Sequence, residues 1–193
     1  MVKAGVILLP FVILCLAAAP PAGAASFDSA YTKVELDKCR AEPPPAADDP
    51  VAGGTWWCEG YGGMAVRVAE GDLRFLVSYG ENAANEPAAG ETLGAFNHIG
   101  PTIEWRLEQD RANGAWRPVA TIIRYFTDAE SGPDGQVLVV TKLGGAGQIC
   151  HIGYVDAVLN KDANGLAREA ADQRAAGFVC GKDKPEKLGL ARE

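Results

Sequence analysis

Cys150 and Cys180 bracket a strand-like run and a helix-like run whose lengths nearly cancel, and this restricts the fold more than any other feature of the chain. Val137, Leu138, Val139 and Val140 form a short, mostly β-branched apolar run, the pattern of a buried strand. Gly144, Gly145 and Gly147 then supply a turn before a second strand over residues 149–155. Period 2 places Cys150, Ile152 and Tyr154 on one face, and Ile149, His151 and Val155 on the other. Asn160, Asp162 and Asn164 are candidate caps for a helix. Its apolar stripe is Ala163, Ala167, Ala170, Ala171, Ala175 and Phe178, opposite Arg168, Glu169, Asp172 and Gln173, and Gly177 suits its end. From Cys150 to Ala157 a strand covers about 23 Å. From Asp162 to Gly177 a helix returns about 22 Å. A helix running back over its strand brings Cys180 level with Cys150, with Ile152 and Tyr154 under Ala167, Ala171 and Phe178.

The N-terminus reads as a secretory signal peptide over residues 1–24. Lys3 is followed by an apolar run at residues 4–19, and Ala22-Gly23-Ala24 is a small-x-small cleavage site. The run is shorter than the ~20 residues that span a bilayer, which favours cleavage over an uncleaved anchor. Cys15 lies inside the leader, and Leu14 before it is poor for a lipoprotein site. Cleavage removes one of 18 basic residues and none of the 25 acidic ones, so the net charge goes from −7 to −8. That balance argues against nucleic acid and against an anionic membrane surface as partners.

Cys39, Cys58, Cys150 and Cys180 remain, an even number that reads as two disulfides in an exported chain. Three connectivities are possible from spacing alone. The strand–helix geometry favours Cys150–Cys180, paired with Cys39–Cys58. No Cys-x-x-Cys pair or Cys/His cluster points to zinc or a redox centre, so neither metal nor cofactor is expected.

Residues 25–55 read as an N-terminal segment and a Pro-rich linker, with a short helix over residues 26–40 capped by Asp28. Residues 56–180 read as a single domain and residues 181–193 as a charged flexible tail. Within the domain, residues 64–70 and 73–79 form a hairpin across Gly71-Asp72, pairing Val68 with Phe75, Val66 with Val77 and Met64 with Tyr79. Residues 80–101 are a long polar connection with a turn of helix near residues 91–96. Residues 102–108 and 116–126 form a second hairpin through Asn113-Gly114. Its register pairs Trp105 with Ile122, Leu107 with Ala120 and Ile103 with Arg124, leaving Glu104, Arg106, Thr121, Ile123 and Tyr125 on the other face.

Candidate site residues are few. Trp56, Trp57 and Tyr61 beside Gly60, Gly62 and Gly63 suit a ligand platform, although aromatics at a strand entry more often fill a core. Glu104 and Arg106 suit a polar ligand, although such pairs are more often solvated ion networks. His98 ends a loop and His151 adjoins Cys150. Oxidation of that cysteine removes a Cys/His dyad. Glu59, Asp72, Glu104 and Asp156 are too scattered for spacing alone to pair them as acid and base. No nucleophile elbow, zinc-protease, P-loop or dinucleotide motif is present.

The segments around Trp57-Cys58-Glu59-Gly60-Tyr61-Gly62-Gly63, Asp72-Leu73-Arg74, Phe96-Asn97-His98-Ile99-Gly100 and Ile103-Glu104-Trp105-Arg106 resemble those of uncharacterised exported bacterial proteins. The resemblance spans most of residues 39–180 and implies a periplasmic location without implying an activity.

The sequence therefore predicts an α+β domain: about six antiparallel strands in three hairpins, curling toward a barrel, with one C-terminal helix packed on the sheet and two disulfides. The favoured function is a non-catalytic binding or interaction protein, periplasmic or secreted, with a protein or small polar ligand as partner and no membrane insertion once the leader is cleaved. The alternative is a small secreted hydrolase using His98 or His151 with a carboxylate.

Overall fold

The computed structural model describes residue 1 and residues 25–43, 53–128 and 134–189. The leader, most of the Pro-rich linker and the last four residues therefore lie outside the described residues. The chain is α+β, and its described residues hold one α-helix, α1 (Ala163–Arg174), and ten strands. They are β1 (Phe27–Lys33), β2 (Arg40–Ala41), β3 (Thr55–Glu59), β4 (Ala65–Gly71), β5 (Arg74–Tyr79), β6 (Phe96–Gln109), β7 (Trp116–Asp128), β8 (Gly135–Lys142), β9 (Cys150–Asp156) and β10 (Glu186–Leu188). The strands divide into a six-stranded sheet, β1-β6-β7-β8-β9-β10, and a four-stranded sheet, β2-β3-β4-β5. Both expected disulfides form, with Cα separations of 4.7 Å for Cys39–Cys58 and 5.9 Å for Cys150–Cys180.

The layers follow from which faces are apolar. Val66, Val68, Val77 and Tyr79 of the small sheet pack on Ile103, Trp105, Ile123, Tyr125 and Val139 of the large one. The other face of the large sheet presents Ala120, Ile122, Leu138, Val140 and Ile152 to Ala163, Ala167, Ala171, Ala175 and Phe178. The large sheet is thus buried on both faces, which explains why β7 and β8 read as near-continuous apolar runs. The alanine stripe lets the helix lie close: a Cβ built on Gly153 would stand 3.7 Å from the Ala170 methyl.

Several local expectations change. The first hairpin belongs to the small sheet, and its turn is Asp72-Leu73 instead of Gly71-Asp72. Both turn residues have positive φ, 50° and 58°, as a type I′ turn requires. Val68 therefore pairs with Val77 and Val66 with Tyr79. The shift preserves face parity, so the apolar face stays apolar. In the second hairpin Ile103 pairs with Ile123 and Trp105 with Thr121, one residue away from the expected register. Irregularities at Ile99/Ile103 and Arg106/Leu107 absorb the mismatch. Ile123, Thr121 and Tyr125 consequently join Trp105 between the sheets, while Glu104 and Arg106 share the helix-covered face with Ile122 and Ala120. A further irregularity in β9, between the pairs Val140–Gly153 and Thr141–His151, leaves Ile152 unpaired and reverses the phase beyond it. Tyr154 then packs in the inter-sheet core, not under the helix, and Val155 takes the helix side.

Residues 26–40, expected as a short helix, hold β1, antiparallel to β6 with Ala30 opposite Trp105. Its alternation fits a strand: Ala30 packs in the inter-sheet core, and Phe27 packs on the helix side. The charged tail over residues 181–193 contributes a strand as well. β10 runs parallel to β9, and Leu188 packs against the helix-side cluster. Residues 83–85 and 87–90 form 3₁₀ turns, and β6 already begins at Phe96, where a turn of α-helix was expected.

Candidate binding cleft

Asp162 caps α1 by accepting a 3.2 Å hydrogen bond from the Gly165 amide. With the alanines against the sheet, Arg168 and Asp172 fall one turn apart on the flank facing β6. Arg106 donates to both carboxylate oxygens of Asp172, from Nε at 2.9 Å and from Nη2 at 2.7 Å. Arg168 donates from Nε to Glu104 at 2.6 Å, and the Glu104 carboxylate pushes its guanidinium pKa further up. Ser29 of β1 joins the two pairs, donating to Glu104 at 2.6 Å and accepting from Arg106 at 2.5 Å. Arg168 also donates to the Tyr31 hydroxyl at 3.2 Å. Charges thus alternate across the helix–sheet seam, and the side chains of Arg106 and Glu104 are only 8% and 10% exposed. The helix flank expected to be solvated is therefore half engaged, because Glu104 and Arg106 sit beneath it.

α1 begins at Ala163, and its first turn meets β7 where Arg124 reaches Asn164. A cleft of 290 Å³ opens there. Ile122, Arg124 and Phe126 form its floor, with Leu138 of β8 beside them, while Asn164 and Arg168 close the helix side and Tyr31 the β1 side. The remaining wall is the irregular stretch of β6 at Gly100, Pro101 and Thr102. Gly100 lies close to β7 here: a Cβ on it would stand in ordinary contact with the Arg124 carbonyl at 3.4 Å and the Phe126 ring at 3.5 Å. Arg124 donates to Gln136 Oε1 at 2.9 Å and to Asn164 Oδ1 at 3.5 Å, and among the described residues it meets no carboxylate. His98 is exposed and stacks on Phe126, centroids 5.0 Å apart and planes 14° apart.

The sequence candidates separate. Glu104 lines this cleft, His98 adjoins it through Phe126, and Arg106 lies behind it on Asp172. Trp56, Trp57 and Tyr61 lie on or next to the other sheet and do not form one platform. Consecutive strand residues point to opposite faces, so Trp56 packs toward the core while Trp57 donates to Glu42 at 2.5 Å and carries Arg40 over its ring. Tyr61 packs on Trp105, centroids 6.3 Å apart. His151 is buried, with Nδ1 3.0 Å from the Tyr154 hydroxyl, and burial lowers its pKa to about 4. Its backbone amide, not its ring, bonds Glu91, at 2.6 Å. Burial raises the Glu91 pKa, a shift that this hydrogen bond partly offsets. Among the described residues no group of three His, Cys, Asp or Glu side chains is placed to hold a metal ion.

Sequence reasoning passed over Tyr31, Arg124, Phe126, Asn164 and Arg168 as site residues. One signal was present: Arg124 interrupts an apolar face between Ile122 and Phe126, where a strand would ordinarily carry another apolar side chain. No protein-family model, curated protein or solved structure matches the chain.

Proposed function

We propose that the chain is an exported, non-catalytic binding protein of the periplasm or the cell exterior, and that the cleft at the open end of the helix-covered face is its binding site. The observation that carries this reading is the cleft itself: a concave, part-apolar site whose polar groups are held in place by the Glu104–Arg168 pair and by the Arg124 bonds to Gln136 and Asn164. The placement of the histidines supports binding over hydrolysis. The His151 side chain is buried among core residues, and the His98 ring stacks on Phe126 without a carboxylate partner among the described residues. Two disulfides are compatible with an oxidising compartment.

A small-fragment screen by NMR tests the reading. Fragments should shift the amides of Gly100, Thr102 and residues 124–126 and 164–168, and Asn164→Trp, which fills the cleft from the helix side, should abolish those shifts. Turnover of a chromogenic ester, glycoside or peptide substrate that disappears in His98→Ala would favour the hydrolase reading instead. Export has its own test. The intact mass of the protein recovered from the periplasm or medium should lack residues 1–24 and four thiol hydrogens. A membrane-retained chain carrying the leader would contradict export by cleavage.

A further inference from the structure

We infer that the cleft takes a small carboxylate with a flat apolar body; this rests on the reading of the cleft as the binding site. Charge selects the head group. Arg168 is neutralised by Glu104 at 2.6 Å, and both Glu104 oxygens are already engaged, by Ser29 and Arg168. Among the described residues Arg124 faces neutral acceptors, the side-chain oxygens of Gln136 and Asn164. A guanidinium has five donors, so most of its fork remains available for bidentate contact with a carboxylate. A guanidinium that meets no carboxylate among the described residues, inside a concave site of a chain with net charge −7, runs against the overall balance and favours a monoanion over a cation or a polyanion.

Shape selects the body. Ile122, Leu138 and Pro101 give the cleft an apolar lining, and Phe126, whose ring stacks on His98, adds an aromatic one. Arg124 and Phe126 are two strand steps apart on one face, about 7 Å. That separation suits a ligand whose ring rests on Phe126 while a carboxylate one or two bonds from the ring meets Arg124. A volume of 290 Å³ lies at the small end of ligand sites.

The test titrates the full exported chain with phenylacetate, phenylacetamide and phenethylamine, which differ in head-group charge and share a ring. Amide shifts locate the site and calorimetry measures affinity. Phenylacetate should bind in the cleft at least tenfold more tightly than either analogue. Arg124→Gln should erase that preference, Arg124→Lys should restore part of it, and Arg111→Gln, in the exposed β6–β7 turn, should leave it unchanged. Near-UV circular dichroism confirms that each variant retains the packing around Trp105. Equal binding of acid and amide, or an acid preference that survives Arg124→Gln, overturns the carboxylate assignment while leaving the cleft as a binding site. Absence of any cleft shift with all three probes overturns the carboxylate assignment and counts against the binding site as well.

Discussion

Leu73 is the residue least suited to its backbone. It sits at φ 58° in the β4–β5 turn with 63% of its surface exposed, so nothing in the core requires its side chain. A left-handed conformation costs a non-glycine residue roughly 1–2 kcal/mol. Leu73→Gly creates Asp-Gly, a preferred type I′ pair, against the entropy that glycine adds to the unfolded chain. The net expectation is a stabilisation of about 0.5–1 kcal/mol, read as a higher urea midpoint at unchanged slope. A lower midpoint would mean that the turn type is wrong. Asp172 makes the opposite case. Its side chain neutralises Arg106, whose own side chain is 8% exposed. Removing one partner of such a pair strands a buried charge, at about 3–5 kcal/mol. Asp172→Ala should therefore cost about 3 kcal/mol, although a helical stripe places this residue on the solvent side. The double replacement Arg106→Met with Asp172→Leu should recover most of the loss, and equal instability of the single and double variants would show that the charge pair is not the cause.

At the scale of elements, period and length were legible and register was not. The lengths of β9 and α1 sufficed to pair Cys150 with Cys180, because a strand and a returning helix leave few alternatives. The Ala163–Phe178 stripe was legible for the same reason: its buried members recur at helical spacing. The irregularity at Ile152 left no sequence signal, yet it sends Tyr154 to the opposite side of the sheet. The irregular stretch around Gly100-Pro101 had a signal, glycine next to proline, but its effect is spatial: it forms a wall of the cleft. β1 was misread because its partner, β6, lies some seventy residues away in sequence, and long-range pairing overrides weak local propensity. The same reasoning predicts how the closing unit fails. The Cys150–Cys180 bond closes a 30-residue separation, worth about 3–4 kcal/mol in the chain-entropy picture. Cys180→Ser should raise hydrogen exchange throughout α1 while β7 and β8 stay protected, since a 12-residue helix is marginal without tertiary support. Loss of protection in β7 at the same rate would show that helix and sheet open as one unit.

For the whole molecule, the large sheet is the shared layer, and acid acts on its inner face. A row of paired residues crosses that face from Trp105 through Thr121 and Thr141 to His151. His151 is 1% exposed, and its Nε2 has no hydrogen-bond partner among the described residues. Burial holds its pKa near 4, whereas the unfolded chain binds the same proton near 6.5. Between those values the unfolded state carries the extra proton, so stability falls as pH falls. Over about 2.5 pH units this amounts to about 3 kcal/mol. Below pH 4 both states are protonated and the contribution stops changing. Glu91 opposes it: its raised pKa means that the folded state holds a proton longer, so its contribution falls as pH rises through the carboxylate range. Urea unfolding at pH 7, 5.5 and 4.5 should thus show a steep loss for the wild-type chain and a shallower one for His151→Leu. Protonation puts a charge between the two sheets and not beneath the helix, which keeps its disulfide. The small sheet should therefore lose its packing first, seen as loss of the near-UV signal of Trp105 and Tyr79, whose rings meet edge-on at 5.6 Å. If His151→Leu follows the wild-type slope, the proton responsible is elsewhere. If the helix signal falls before the aromatic one, the acid-sensitive layer is not the one between the sheets.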